Sequence, residues 1–174
     1  MDFFELLKTR HSIRKYTDKI IEFEKIEKIL QAALMSPTSK RSNSWEFIVV
    51  QEKDILEKIS FSRTHGSQFL ANSPLGIVVL ADTTKSDVWI EDASIASIIM
   101  QLEAHDLGLG SCWIQVRGRY KDETTSTENY LKELLNIPEQ FAVLAVISIG
   151  YPAEEKKPFE TDKLDKSKIH YKSF

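Results

Sequence analysis

Within six residues near the amino terminus, Arg10, His11, Ser12, Arg14 and Lys15 bring together three permanent positive charges, an imidazole and a hydroxyl. Guanidinium forks grip phosphate oxygens bidentately and a serine hydroxyl adds a neutral donor, so this set suits a phosphate monoester. A solvated run of charge accounts for the same residues without any ligand. At this level both readings stand.

Other reactive groups point away from the common hydrolytic chemistries. No HExxH, paired CxxC, GxSxG or phosphate-loop pattern occurs, so metal hydrolysis, acyl transfer and phosphoryl transfer lack their usual parts, and no metal is expected. Ser36, Ser39, Ser42 and Ser44 read as surface-loop serines with no histidine nearby in sequence. Cys112, inside an apolar run, reads as a small core hydrophobe. The glycines of Leu107-Gly108-Leu109-Gly110 resemble half of a dinucleotide fingerprint, but that fingerprint follows a strand and opens a helix. Here the glycines close a helix and lead into a strand, so Gly108 reads as a left-handed helix cap.

The elements that must carry these residues follow from hydrophobic spacing. Phe3, Phe4, Leu6 and Leu7 suggest a short first helix, and Ile26, Ile29, Leu30 and Ala33 a second over Glu24 to Leu34, ended by Pro37. Apolar runs at Phe47–Val50, Leu75–Ala81, Ser111–Val116 and Phe141–Ile149 read as strands, with helices over Asp54–Ser62 and Glu128–Leu135 between them. The long helix over Val88–His105 carries Ile95, Ile98, Ile99 and Leu102 on one stripe, with Ala93 and Ala96 nearby and Asp87 as its expected cap. Strands interleaved with helices predict an α/β or α+β layered domain, a sheet covered by helices.

At 174 residues the chain is one domain, and 42 % apolar with 28 % charged residues is ordinary for a folded globular protein. A net charge of -3 gives no general attraction to nucleic acid or anionic membranes. No apolar run approaches the roughly 18 residues that span a bilayer. One cysteine cannot form an internal disulfide, which favours a reducing, cytoplasmic setting. Residues 1–152 form the expected body, and 153–174 a charge-rich arm. Phe159, Leu164, Ile169, Tyr171 and Phe174 would be wasted in water, so the arm is expected to dock onto a partner subunit.

Taken together, the motifs resemble those of the nitroreductase family along nearly the whole chain. Arg10-His11-Ser12-Ile13-Arg14 is similar to the family's opening R-x-S-x-R element, and Ser36-Pro37-Thr38-Ser39 with Trp45-Glu46-Phe47 to its S-P-S-S…P-W-x-F loop. Leu107-Gly108-Leu109-Gly110-Ser111-Cys112-Trp113 resembles its L-G-L-G segment, and Gly150-Tyr151-Pro152 its G-Y-P. Each element alone is weakly specific; their order and spacing together are strong. Phe159 stands where the family usually has a second basic residue after G-Y-P.

The resemblance implies a central mixed, largely antiparallel sheet flanked by helices, with an exchanged carboxy-terminal arm. It implies a homodimer binding FMN at its interface and drawing electrons from NADH or NADPH for a small electron-poor acceptor, a nitroaromatic or a quinone, by a ping-pong cycle. Arg10, Ser12 and neighbouring His11 would meet the phosphate and ribityl chain, with Lys156 or Lys157, and Arg14 the pyrimidine edge. Pro37, Thr38, Ser39 and Asn43 would line the ring from the other subunit, and Trp113, Ile114 and Gln115 would pass along its opposite face. Trp113 reads equally well as a core aromatic. No side chain need act as an acid or base, because the cofactor carries the chemistry. A non-catalytic FMN carrier or sensor, and a flavin enzyme of the same fold performing reductive dehalogenation or alkene reduction, are the alternatives.

Overall fold

The computed structural model describes residues 2–174. The apolar repeats near the amino terminus close into α1 (Phe3–Thr9) and α2 (Phe23–Leu34). The apolar runs become β1 (Trp45–Val50), β2 (Leu75–Asp82), β3 (Gly110–Gln115) and β4 (Phe141–Gly150), separated by α3 (Lys53–Ser60), α4 (Trp89–Asp106) and α5 (Thr127–Leu135). The strands lie in the order β1-β2-β4-β3, and every ladder is antiparallel. The expected mixed character reduces to an isolated parallel bridge between Ser12 and Ser111 on β3.

Helices cover both faces of the sheet. Ile29 and Ala33 of α2 and Ala96, Met100 and Ala104 of α4 pack on Ile77, Val79 and Ile147 from one side. Leu56 and Ile59 of α3 and Leu131 of α5 pack on Val78, Leu80 and Val146 from the other. With both faces covered, β2 is buried at every position, which is why its sequence runs apolar instead of alternating. Among the described residues no helix is long and apolar enough to cross a membrane.

The long helix departs from its sequence reading in two ways. The side of α4 that meets the sheet is made of small or slender residues, Ala93, Ala96, Ser97, Met100 and Ala104, all buried. Ile95 and Ile98, from the stripe read off the sequence, are 38 % and 41 % exposed. A helix that is apolar nearly all round has two plausible inward stripes, and close approach to the sheet selects the smaller side chains. Nor does Asp87 cap it. The cap position belongs to Val88, with no side-chain bond, and Ser86 Oγ accepts the Val88 N–H at 3.3 Å instead.

At its other end α4 stops as expected. Gly108 takes φ +77°, its N–H donates to the His105 carbonyl at 3.0 Å, and Leu109 N–H donates to the Ala104 carbonyl at 2.8 Å. This pair of bonds is a Schellman cap, and it turns the chain directly into β3.

Candidate functional site

The segment from Arg10 to Tyr16 lies across the start of β3 and the end of β4. Ile13 N–H donates to the Ser111 carbonyl at 2.9 Å. The close approach requires glycine on both strands: a Cβ on Gly110 would stand 2.7 Å from Ile13 Cβ, and one on Gly150 2.7 Å from the Tyr16 ring. Tyr16 fixes the far end, its hydroxyl 2.6 Å from the Ile13 carbonyl and 2.7 Å from Ser148 Oγ. Burial pushes that phenol well above its usual range.

Alternate residues of this segment diverge. Arg10, Ser12 and Arg14 gather around Cys112, where Arg14, the Ser12 hydroxyl and Arg10 each act to lower the thiol pKa. Burial nonetheless raises the Cys112 pKa, so the thiol stays protonated at neutral pH. His11 turns away and stacks on Phe159 with ring centroids 4.7 Å apart, its Nε2 buried without a partner. His105, held below its ordinary pKa first by burial and then by Arg10 and His11, lies 2.8 Å from Thr9 Oγ1. Thr9, His11, His105 and Lys156 line a cleft of about 280 Å³ on this side.

The first residues of the arm are tied to their own chain. Ala153 N–H donates to the Lys15 carbonyl at 2.8 Å and Phe159 N–H to the Lys8 carbonyl at 2.9 Å. Glu154 Oε1 accepts the N–H groups of Arg14 at 2.6 Å and Lys15 at 3.2 Å, and its other oxygen pairs with Lys156 at 2.8 Å. The Arg14 N–H above all, then Lys156, lowers the Glu154 pKa to about 2. Lys157 is exposed, and from residue 160 onwards every residue is exposed. Phe159 thus differs from the reading of the arm: part of its shelter comes from His11 of the same chain. Sequence gave no sign of Glu154, one acid among many in the arm.

On β3 the three expected residues differ in what they present. Trp113 is half-buried against the α2–α4 side of the core, with Nε1–H donating to Gln115 Oε1 at 2.8 Å. Gln115 in turn donates to the Arg117 carbonyl at 2.8 Å. Ile114 is 1 % exposed in the opposite core, so its side chain is spent on packing and only its backbone is open to a ligand.

Pro37, Thr38, Ser39 and Asn43 sit in the loop between α2 and β1, at the amino-terminal end of α4. Buried Asp92 organises it: Oδ1 accepts the Ser39 N–H at 2.9 Å, and Oδ2 accepts the hydroxyls of Ser42 at 3.2 Å and Ser86 at 3.3 Å. Thr38 Oγ1 donates to Asn43 Oδ1 at 3.0 Å. Lys40, Arg41 and Asn43 all have positive φ, a cost that the Asp92 bonds help to offset. The four serines are therefore not simple surface residues: Ser36 and Ser44 are buried with hydroxyls that lack a protein partner, and Ser39 and Ser42 hold Asp92. Asp92 itself was missed, although an acid on an otherwise apolar face of α4 is a legible signal.

The structure does not bring this loop to the Arg10 cluster within one chain. Asp92 marks one end of α4 and His105 the other, roughly 20 Å apart along the axis at about 1.5 Å per residue.

Comparison with known proteins accounts for the pattern. The sequence model of the nitroreductase family matches residues 7–62 and 60–151. A provisionally named NADH dehydrogenase/NAD(P)H nitroreductase of Archaeoglobus fulgidus is 41 % identical over 171 residues, 95 % of this chain and 95 % of that protein. An FMN reductase [NAD(P)H] of Bacillus subtilis is 28 % identical, over 87 % of this chain and 67 % of its own length. Among solved structures, an FMN-dependent nitroreductase from Clostridium difficile R20291 superposes with a TM-score of 0.97 at 51 % identity, covering 99 % of this chain and 100 % of that one. With its layered fold, its glycine-gated amino-terminal segment and this breadth of match, the chain belongs to the nitroreductase family.

Proposed function

We propose that the chain is an FMN-dependent oxidoreductase that takes hydride from NADH or NADPH and passes it to a small electron-poor acceptor such as a nitroaromatic or a quinone. The observation that carries this reading is the convergence of Arg10, Ser12 and Arg14 around Cys112, with neither guanidinium in an ion pair with a carboxylate among the described residues. Charged donors gathered without an acceptor fit an anionic ligand, and the names of the Clostridium and Bacillus proteins support FMN as that ligand.

In this reading Arg10 and Ser12 hold the phosphate and ribityl chain. Lys157 is the freer of the two arm lysines to join them, since Glu154 engages Lys156. Arg14 stabilises negative charge at the pyrimidine edge, which favours hydride acceptance. His11 serves the cluster by clamping Phe159, and Trp113 presents its open side along the ring. When bound, FMN supplies the hydride-accepting and hydride-donating centre. The chain offers no separate dinucleotide fold, so donor and acceptor take turns at one face in a ping-pong cycle.

A second copy of the chain completes the site. Phe3, Phe4 and Leu7 of α1 and Ile95 and Ile98 of α4 leave an apolar face exposed. Pairing two such faces about a two-fold axis would set the Pro37–Asn43 loop of one copy near the Arg10 cluster of the other. The exposed Leu164, Ile169 and Tyr171 of the arm suit the same partner.

Purified protein is expected to be yellow, to release FMN on denaturation, and to oxidise NADH or NADPH in the presence of a quinone. Colourless protein that takes up no added FMN overturns the reading.

A further inference from the structure

Among the described residues none of the six arginines forms an ion pair with a carboxylate; every such pair is made by a lysine. Two of these arginines belong to the cluster already described. A second pair, Arg63 after α3 and Arg119 after β3, has no part in that account.

The loops carrying Arg63 and Arg119 are locked together. Fully buried Thr127 donates its N–H to the Arg119 carbonyl at 2.9 Å and its hydroxyl to the Ser62 carbonyl at 2.8 Å. Thr64 N–H donates to the Tyr120 carbonyl at 3.4 Å. The Gln68 carboxamide accepts the Gly66 N–H at 2.8 Å and donates to the carbonyls of Arg63 at 3.2 Å and Thr64 at 3.3 Å, fixing the Arg63 turn. Half-buried Arg63 folds back over Gly66. Burial, and then the charge of Arg119, pull its pKa below the ordinary arginine range.

Two like charges held this way cost free energy unless an anion joins them. Asp122, three residues after Arg119, forms no ion pair with either arginine among the described residues; its Oδ1 accepts the N–H groups of Thr124 and Thr125, at 3.0 and 2.8 Å. The loops that carry the pair adjoin residues of the proposed ring site. Arg14 lies 6.0 Å from the Phe69 ring centroid, next to Gln68, and Gln115 bonds to Arg117, two residues before Arg119.

We propose that Arg63 and Arg119 bind the phosphate groups of the dinucleotide electron donor. This rests on the oxidoreductase reading above. The donor always carries a pyrophosphate, whereas quinones and simple nitroaromatics carry no fixed anion, and the chain has no glycine-rich turn that would anchor a dinucleotide elsewhere. Two guanidinium forks suit non-bridging phosphate oxygens.

The test uses FMN-loaded protein with NADH, NADPH and 1-benzyl-1,4-dihydronicotinamide, a hydride donor without phosphates. Arg63→Gln and Arg119→Gln should each raise the KM for NADH and NADPH about tenfold, the loss of one charge-assisted hydrogen bond. They should leave kcat, FMN content and oxidation of the phosphate-free donor unchanged, and Arg63→Lys should recover part of the loss. Unchanged KM for both dinucleotides overturns the proposal, as does an equal loss with the phosphate-free donor. An effect seen only with carboxylate-bearing acceptors, and not with a neutral quinone, overturns the assignment to the donor. Wild-type oxidation of the phosphate-free donor keeps the oxidoreductase reading standing whatever the arginines do. A wild-type protein that oxidises none of the three overturns both.

Discussion

Asp92 Oδ1 accepts the Ser39 backbone N–H at 2.9 Å, joining the amino-terminal end of α4 to a loop that is otherwise held in unfavourable backbone conformations. Replacing Asp92 by Ala strands that N–H and two hydroxyls, and should cost roughly 1–3 kcal/mol in urea unfolding. FMN affinity should fall as well, because the loop is proposed to complete the ring site. A variant with unchanged stability and FMN affinity would leave the Asp92 contacts without consequence.

Gly110→Ala tests how the amino-terminal segment is seated. The new methyl would meet Ile13 Cβ at 2.7 Å and both branches of the side chain at 2.8 Å. Overpacking of this kind should destabilise the fold by about 1–3 kcal/mol. Combining it with Ile13→Ala should recover part of the loss, a coupling expected only of residues in contact. Thermal unfolding of the two single variants and the double variant measures it.

Arg10→Ala should weaken FMN binding by roughly 1.5–3 kcal/mol, the range for a hydrogen bond to a charged group. Titration of the apoprotein by flavin fluorescence decides it. An unchanged dissociation constant would return the Arg10 cluster to a solvated run of charge.

The clasp at Glu154 sets a pH dependence of known sign. Its folded pKa is depressed from 4.5 to about 2, so its contribution is fully present above pH 4.5 and is lost as pH falls through about 2. Protection of the Arg14 amide against hydrogen exchange should therefore persist at pH 5, fade towards pH 2, and be low at both in Glu154→Gln. Its partner Lys156 is exposed, so solvent screening of the pair keeps the effect on global stability small.

The arm separates into two functions that truncation can tell apart. Ending the chain after Glu160 keeps the clasp but removes Leu164, Ile169 and Tyr171, so dimerisation should weaken while the Arg14 segment stays ordered. Ending it after Ala153 should loosen both and lower FMN occupancy. Ile98→Glu, placed on the exposed side of α4, should weaken the dimer by about 2 kcal/mol or more. Sedimentation with flavin absorbance reads all three, and a fully dimeric, flavin-loaded Ile98→Glu protein would remove this face from the interface.

Much of this was settled by local chemistry. The period of Ile26, Ile29 and Ala33 specified α2, the run Leu75 to Ala81 specified a strand covered on both faces, and Gly108 before Leu109 specified the end of α4, because each depends only on neighbours along the chain. The types and spacing of Arg10, Ser12 and Arg14 suited an anion for the same reason, with a solvated run of charge as the other reading. What depended on distant residues was not legible. The inward side of α4 was decided by how closely Ala96 and Met100 approach the sheet, not by the greater hydrophobicity of Ile95 and Ile98. The roles of Asp92 and Glu154 arise from partners 53 and 140 residues away, and the separation of the Ser39 loop from Arg10 was set by the length of α4. A side chain's chemistry belongs to the sequence, but whether that chemistry is free, buried or already bonded is fixed only when the packed chain brings its partners together.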